Sequence, residues 1–141
     1  MNQKKVNTLT LTQELSELNA ASLLKNDIEQ VQRLLLDYSA VSMCGSVQPW
    51  GQILTTWGQN NGTGKSTLIG SGSRVPSSIA GLVNGTSAHG YELDDTHDKS
   101  MSHPGAVVIS AALAVGNAIY SPLWFALSGI CLLYTSDAAD E

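Results

Sequence analysis

PSSIAGLVNGTSAHGYELDDTHDKSMSHPGAVVISAALAV, residues 76–115, sets two apolar, small-residue segments on either side of a polar one. Proline is preorganised for the first turn of a helix and needs no N–H there, so Pro76 and Pro104 each predict a helix start. After Pro76, the residues Ile79, Ala80, Val83 and Ser87 recur at helical spacing. Ala80, Gly81, Gly85 and Ala88 carry little bulk and would let a neighbouring helix approach closely. After Pro104, an Ala-rich helix should carry Val107, Val108, Ala111, Ala112 and Val115. A polar stretch from His89 to His103 joins the two. The pattern predicts a mainly α fold.

Upstream, Thr10 offers a cap for a short helix to about Ala21. Asn26-Asp27 offers a second N-cap. Behind it Ile28, Val31, Leu35, Tyr38 and Ser42 share one helical face, with Leu24 and Leu34 flanking and Gly45 near the end. Trp50 to Trp57 is a short apolar segment leading into the loop Gly58–Gly64. Ser66 to Ile69 reads as a brief extended piece before a Gly/Ser turn, Gly70–Ser73. Downstream, no charged residue occurs from Pro104 to Ser136, longer than the roughly 20 apolar residues that span a bilayer. Ser121-Pro122 breaks the run, and Gly105, Ser110, Gly116, Asn117 and Ser128 dilute it. It therefore reads as two helices inside a larger helical protein, with no membrane span.

The 141 residues carry 7 basic and 12 acidic side chains for a net charge of −5, with 43% hydrophobic and 13% charged residues. So apolar a chain is not a disordered segment. No Lys/Arg cluster is present to neutralise phosphates, which argues against a nucleic-acid partner. Two cysteines, Cys44 and Cys131, make no disulfide framework and point to a reducing cytoplasm. The basic start, Met1-Asn-Gln-Lys-Lys, lacks the apolar run of a signal peptide.

Gly62-Thr-Gly-Lys-Ser-Thr67 invites a phosphate-binding reading, but Gln59 stands where the first glycine of a P-loop belongs and no clear strand precedes it. The loop is a plain turn. Chemistry concentrates instead between His89 and His103, which hold all three histidines together with Glu92, Asp94, Asp95 and Asp98. Carboxylates and imidazoles so grouped can supply both a proton donor and an acceptor, although a solvated loop could have the same composition. If the preceding helix continued, His89, Glu92 and Asp95 or Thr96 would share a face at one-turn spacing. Asp94-Asp95-Thr-His-Asp98 also fits the DDxxD pattern by which helical isoprenoid synthases hold Mg²⁺ and diphosphate. His97 and His103 with an aspartate could ligate a transition metal, but at no settled spacing.

The order of these segments adds to the reading. Val83-Asn84-Gly85 with His89, the run Asp94-Asp-Thr-His97 and His103-Pro-Gly105, preceded by Thr67-Leu-Ile-Gly-Ser-Gly72, resemble the MmgE/PrpD family. This family includes 2-methylcitrate dehydratase, cis-aconitate decarboxylase and related lyases and epimerases. The resemblance is clear over residues 66–116 and weaker before them. It implies a large helical domain built from both ends of a much longer chain, with a smaller α/β domain inserted later. This chain would be the first part of the helical domain, truncated before the α/β domain. It also implies an active site between the domains that uses no metal or organic cofactor. The catalytic positions would be Glu92, Thr96 and His103, with Glu92 standing where some members have Asp. Asn84, His89, Asp94, Asp95 and His97 would bind substrate or support, Asp94 and Asp95 by orienting neighbours and capping helices, since bare carboxylates repel an anionic substrate.

On this resemblance the substrate is a small di- or tricarboxylate, and the whole protein is a cytoplasmic homodimer. Only Lys99 is cationic after Arg74, so the groups that neutralise the substrate should come from elsewhere in the protein. The last eleven residues, CLLYTSDAADE (131–141), follow an apolar segment with no cap or turn. They resemble a translated sequencing-library adaptor, so residues 1–130 are expected to be the native part and the fragment to be inactive alone. The competing classes are a Mg²⁺-dependent isoprenoid synthase using Asp94, Asp95 and Asp98, and a non-catalytic helical module.

Overall fold

The structure, a computed structural model, describes Leu9, Gln13, residues 24–98 and residues 101–119. These form the helices α1 (Lys25–Ser46), α2 (Pro49–Asn60), α3 (Ser77–His89) and α4 (Pro104–Ala118), and one small antiparallel hairpin, β1 (Ser66–Thr67) with β2 (Arg74–Val75). The fold is mainly α. The helix expected from Thr10 falls, Gln13 apart, outside the described residues, as do the second helix after Pro122 and the boundary at Cys131.

α1 begins earlier than its Asn26-Asp27 signal. Its cap position is Leu24, whose N–H donates to Asp27 Oδ2 at 2.9 Å. Asp27 thus serves from inside the first turn, where a carboxylate also meets the positive end of the helix dipole. The buried face holds Val31, Tyr38, Ser42 and Gly45, while Ile28 is exposed. Trp50 to Trp57 is helical, and Pro49 opens α2 at a position that needs no N–H.

α3 is the central element, packed against α1, α2 and α4. One cluster joins Val31 and Tyr38 of α1 to Ala88, Ala106 and Ile109. The other joins Leu68 and Val75 of the hairpin to Ala80, Val83 and Ala114. Close helix approach depends on missing side chains. A methyl on Gly45 would run into the Ser87 carbonyl, and one on Gly85 would lie 3.2 Å from both the Ala106 carbonyl oxygen and Ser110 Oγ.

The hairpin pairs Ser66 with Val75 and Thr67 with Arg74. It is tied to both central helices: Ser66 Oγ donates to the Ala114 carbonyl at 2.6 Å, and Asn84 reaches the backbone of Thr67 and Ile69. The segment Gly62–Thr67 joins a helix to a strand, the reverse of the strand-to-helix setting of a P-loop. Apolar all round, α4 gave its periodicity no face to mark. Gly105, Ala106, Ile109, Ser110, Ala114 and Gly116 are buried, whereas Val107, Ala111 and Val115 are exposed. Among the described residues no helix is long and apolar enough to cross a membrane.

Candidate active site

α3 does not continue through the polar stretch. It ends at His89, and Glu92 takes a left-handed φ of 52° while its N–H closes a turn onto the His89 carbonyl at 2.8 Å. Tertiary packing explains the stop. Trp50 at the start of α2 lies against Gly90, and its ring meets Tyr91 edge-on with centroids 5.2 Å apart. The chain then crosses to α4 through a bridge between His97 and Ser102. Glu92, Thr96 and Asp98 are exposed, and the one-turn facing of His89, Glu92 and Asp95 that a continuous helix would give is absent.

The structure brings together His89, Asp94 and His103. Asp94 has a side chain only 2% exposed, and its Oδ1 lies 3.2 Å from His89 Nδ1 and 3.3 Å from His103 Nδ1. His89 Nδ1 is hydrogen-bonded to this carboxylate. His103 Nδ1 is buried and approaches it without hydrogen-bond alignment. The two rings stand 4.7 Å apart between centroids, tilted by 60°. A buried carboxylate is costly unless N–H groups face it, and the His89 ring is placed to supply one.

Helix ends position the cluster. His89 is the last residue of α3 and His103 the cap residue of α4. Asp95, next to Asp94, accepts the Gly105 N–H on both carboxylate oxygens, at 2.9 and 3.2 Å. That N–H belongs to the first turn of α4, where no intrahelical acceptor exists. Asp95 therefore caps α4 from ten residues away and carries Asp94 to the histidines.

Both rings line one end of a groove of about 560 Å³ between α3 and α4, whose walls include Leu82, Gly85, Ala106 and Val107. The groove is apolar except for the imidazoles, Thr86 and Ser110. Glu92, Thr96 and His97 do not line it. Asn84 is elsewhere: buried, its Oδ1 accepts the Ile69 N–H and its Nδ2 donates to the Thr67 carbonyl, both at 2.9 Å. Asp94 and Asp95 face different partners and Asp98 is exposed, so the DDxxD run offers Mg²⁺ no common carboxylate face. His97 stands apart from the His89, Asp94 and His103 cluster, the group of three whose ligating atoms lie within 4.8 Å of one another. The sequence placed His89 and Asp94 only in supporting roles. Their convergence with His103 depends on the Asp95 cap, a non-local contact without a periodic signature.

Residues 10–122 match the model of the MmgE/PrpD N-terminal domain. The chain is also similar to the cis-aconitate decarboxylase-like protein oryM of Aspergillus oryzae, with 28% identity over 108 residues. That match covers 76% of this chain and 22% of the relative, so the chain spans about a fifth of that relative's length.

Proposed function

The chain belongs to the MmgE/PrpD family, and from that premise we propose that it carries the acid–base half-site of a lyase for small di- or tricarboxylates. The observation that supports this most directly is the pair of imidazoles, His89 and His103, meeting a buried Asp94 at one end of a groove. Loss of water from a hydroxy acid requires a base to take a proton beside a carboxylate and an acid to protonate the departing hydroxyl. His103 serves as one of these two groups, acid or base. Glu92 and Thr96, assigned by the family resemblance, reach the substrate from the exposed loop, Glu92 to assist proton transfer and Thr96 to hydrogen-bond a substrate carboxylate. The cis-aconitate decarboxylase-like relative supports an acid of this size and charge as substrate. The whole protein, on this proposal, is a cytoplasmic homodimer that needs neither metal nor organic cofactor, and its remaining part supplies the cationic groups for the anionic substrate.

The test is turnover of 2-methylcitrate and cis-aconitate by the full-length protein, reading alkene formation and CO₂ release together. His103→Ala should lower kcat by about 10²- to 10⁴-fold with the circular dichroism unchanged, the span typical for loss of a general acid or base. Activity of that variant equal to wild type would sink the assignment. EDTA should leave turnover untouched, whereas a Mg²⁺-dependent synthase would lose it.

A further inference from the structure

We infer that Asp94 is the positioning residue of a two-imidazole pair, in which His89 is the second proton-transfer group beside His103. The chemistry rests on the lyase proposal, and the geometry stands without it. A carboxylate accepts hydrogen bonds and donates none, and that of Asp94 is almost wholly removed from water with an Nδ1 of each ring within 3.3 Å of its Oδ1. A neutral imidazole has a single N–H, and the partner of one nitrogen decides which nitrogen carries it. Asp94 therefore fixes the proton of His89, whose Nδ1 is hydrogen-bonded to it, on Nδ1. His103 Nδ1 stands 3.3 Å from the same oxygen without hydrogen-bond alignment, and a small turn of its ring toward that oxygen fixes its proton in the same way. This is the less common tautomer of a histidine free in water, and it leaves both Nε2 lone pairs unprotonated. Since both rings line the groove, the Nε2 edges are the ones available to a ligand there.

The cluster has a rigid frame. His89 ends one helix, His103 begins the next, and the Asp95 bond to Gly105 N–H anchors the intervening carboxylate to the second of them. Two rings 4.7 Å apart can address neighbouring atoms of one small acid. In the dehydration, one Nε2 takes the proton from the carbon beside a carboxylate, and that C–H pair becomes the C=C bond. The C–O bond breaks as the other ring, entering the step protonated, gives its Nε2 proton to the hydroxyl, which leaves as water. One ring has gained a proton and the other has lost one, so exchange with solvent restores the pair. No oxidant or further reactant is involved.

The test begins with the imidazole nitrogens of the 141-residue chain, labelled with ¹⁵N-histidine and observed by long-range proton–nitrogen correlation. Spectra are recorded at alkaline pH. The chain has three histidines, and His97→Gln identifies the two of interest. Both should show a protonated Nδ1 and a bare Nε2, and Asp94→Ala should return both to the Nε2–H form. If Asp94→Ala does not fold, the wild-type spectrum decides alone, and an Nε2–H form on either ring overturns the inference. In the full-length protein, His89→Gln should lower kcat by about 10²-fold with KM within about threefold. Wild-type kcat in that variant removes His89 from the chemistry even where the tautomers are as expected. A full-length wild type without lyase turnover but with both Nδ1–H tautomers would refute the lyase proposal and leave the Asp94 geometry standing.

Discussion

Asn84 shows how far a residue's identity falls short of its role. The Val83-Asn84-Gly85 motif marks the position, and an amide on a helix facing a candidate site is a reasonable substrate contact. Here both of its polar atoms are engaged by the hairpin backbone. Truncation to Ala would leave the Ile69 N–H and the Thr67 carbonyl, both half-buried, without these partners. A fully buried group left so costs about 1–3 kcal/mol, and with partial access of water to both, Asn84→Ala should lose about 1–3 kcal/mol in urea unfolding. An unchanged midpoint would show that the side chain is free for substrate after all. Tyr38 is a second buried polar residue, with its hydroxyl 2.7 Å from Ser110 Oγ. Burial raises its pKa above the ordinary 10, and the hydrogen bond with Ser110 offsets part of that rise. A phenol whose folded pKa is raised contributes stability that is complete below its unfolded pKa and is lost as pH rises toward the folded one. Unfolding midpoints should therefore fall above about pH 10. The fall should be smaller in Tyr38→Phe, which would itself lose about 1 kcal/mol at neutral pH. Identical alkaline profiles for the two proteins would contradict the burial.

α1, α3 and α4 were legible because their signals are local, whereas Trp50 to Trp57 showed only as a short apolar segment. Pro76 and Pro104 stand at or beside helix starts, and the apolar spacing of α1 and α3 marks buried faces that the structure retains in Val31, Tyr38, Ala80 and Val83. What stayed hidden is decided between elements. The end of α3 at His89 depends on Trp50 meeting Gly90 and Tyr91, forty residues away in the chain. The outward face of α4 depends on which of its many apolar residues α3 covers. The cap on α4 is decided between elements as well, although a capping role was expected of Asp94 and Asp95, and Asp95 fills it. Asp95→Ala would leave the Gly105 N–H without its acceptor and remove a negative charge from the positive end of the helix dipole, a loss of about 1–2 kcal/mol. Asp95→Asn retains an acceptor without the charge and should recover about half of it. The same substitutions should loosen the hold of Asp94 on His103, read as a changed His103 nitrogen shift with His89 less affected. A helix boundary and a His103 environment unmoved by Asp95→Ala would show that α4 is capped by other means.

At the scale of the molecule, the apolar groove and its surroundings govern solution behaviour. Leu82 on α3 is 52% exposed and Val107 on α4 is 72% exposed, both lining a groove with predominantly apolar walls, and Val115 further along α4 is 50% exposed. Neighbouring apolar side chains left in water make a surface that associates when it can, since each Å² removed from solvent is worth about 25 cal/mol. The net charge of −5 opposes this only weakly, because salt screens exposed charges beyond about 10 Å at 0.1 M. The purified 141-residue chain should therefore associate with rising concentration in sedimentation velocity and should enhance the fluorescence of an apolar dye such as ANS. Val107→Glu places a charge where the native side chain is already mostly solvated. It should reduce both signals while shifting the unfolding midpoint by no more than about 0.5 kcal/mol, as expected for a surface position. A wild-type chain that stays monomeric at high concentration and leaves the dye dark would mean that this face is covered in solution. Association that Val107→Glu leaves unchanged would place the sticky surface elsewhere on the molecule. If the variant instead unfolds, Val107 supports the α3–α4 packing more than its exposure indicates, and the groove is tighter in solution than it stands between these helices.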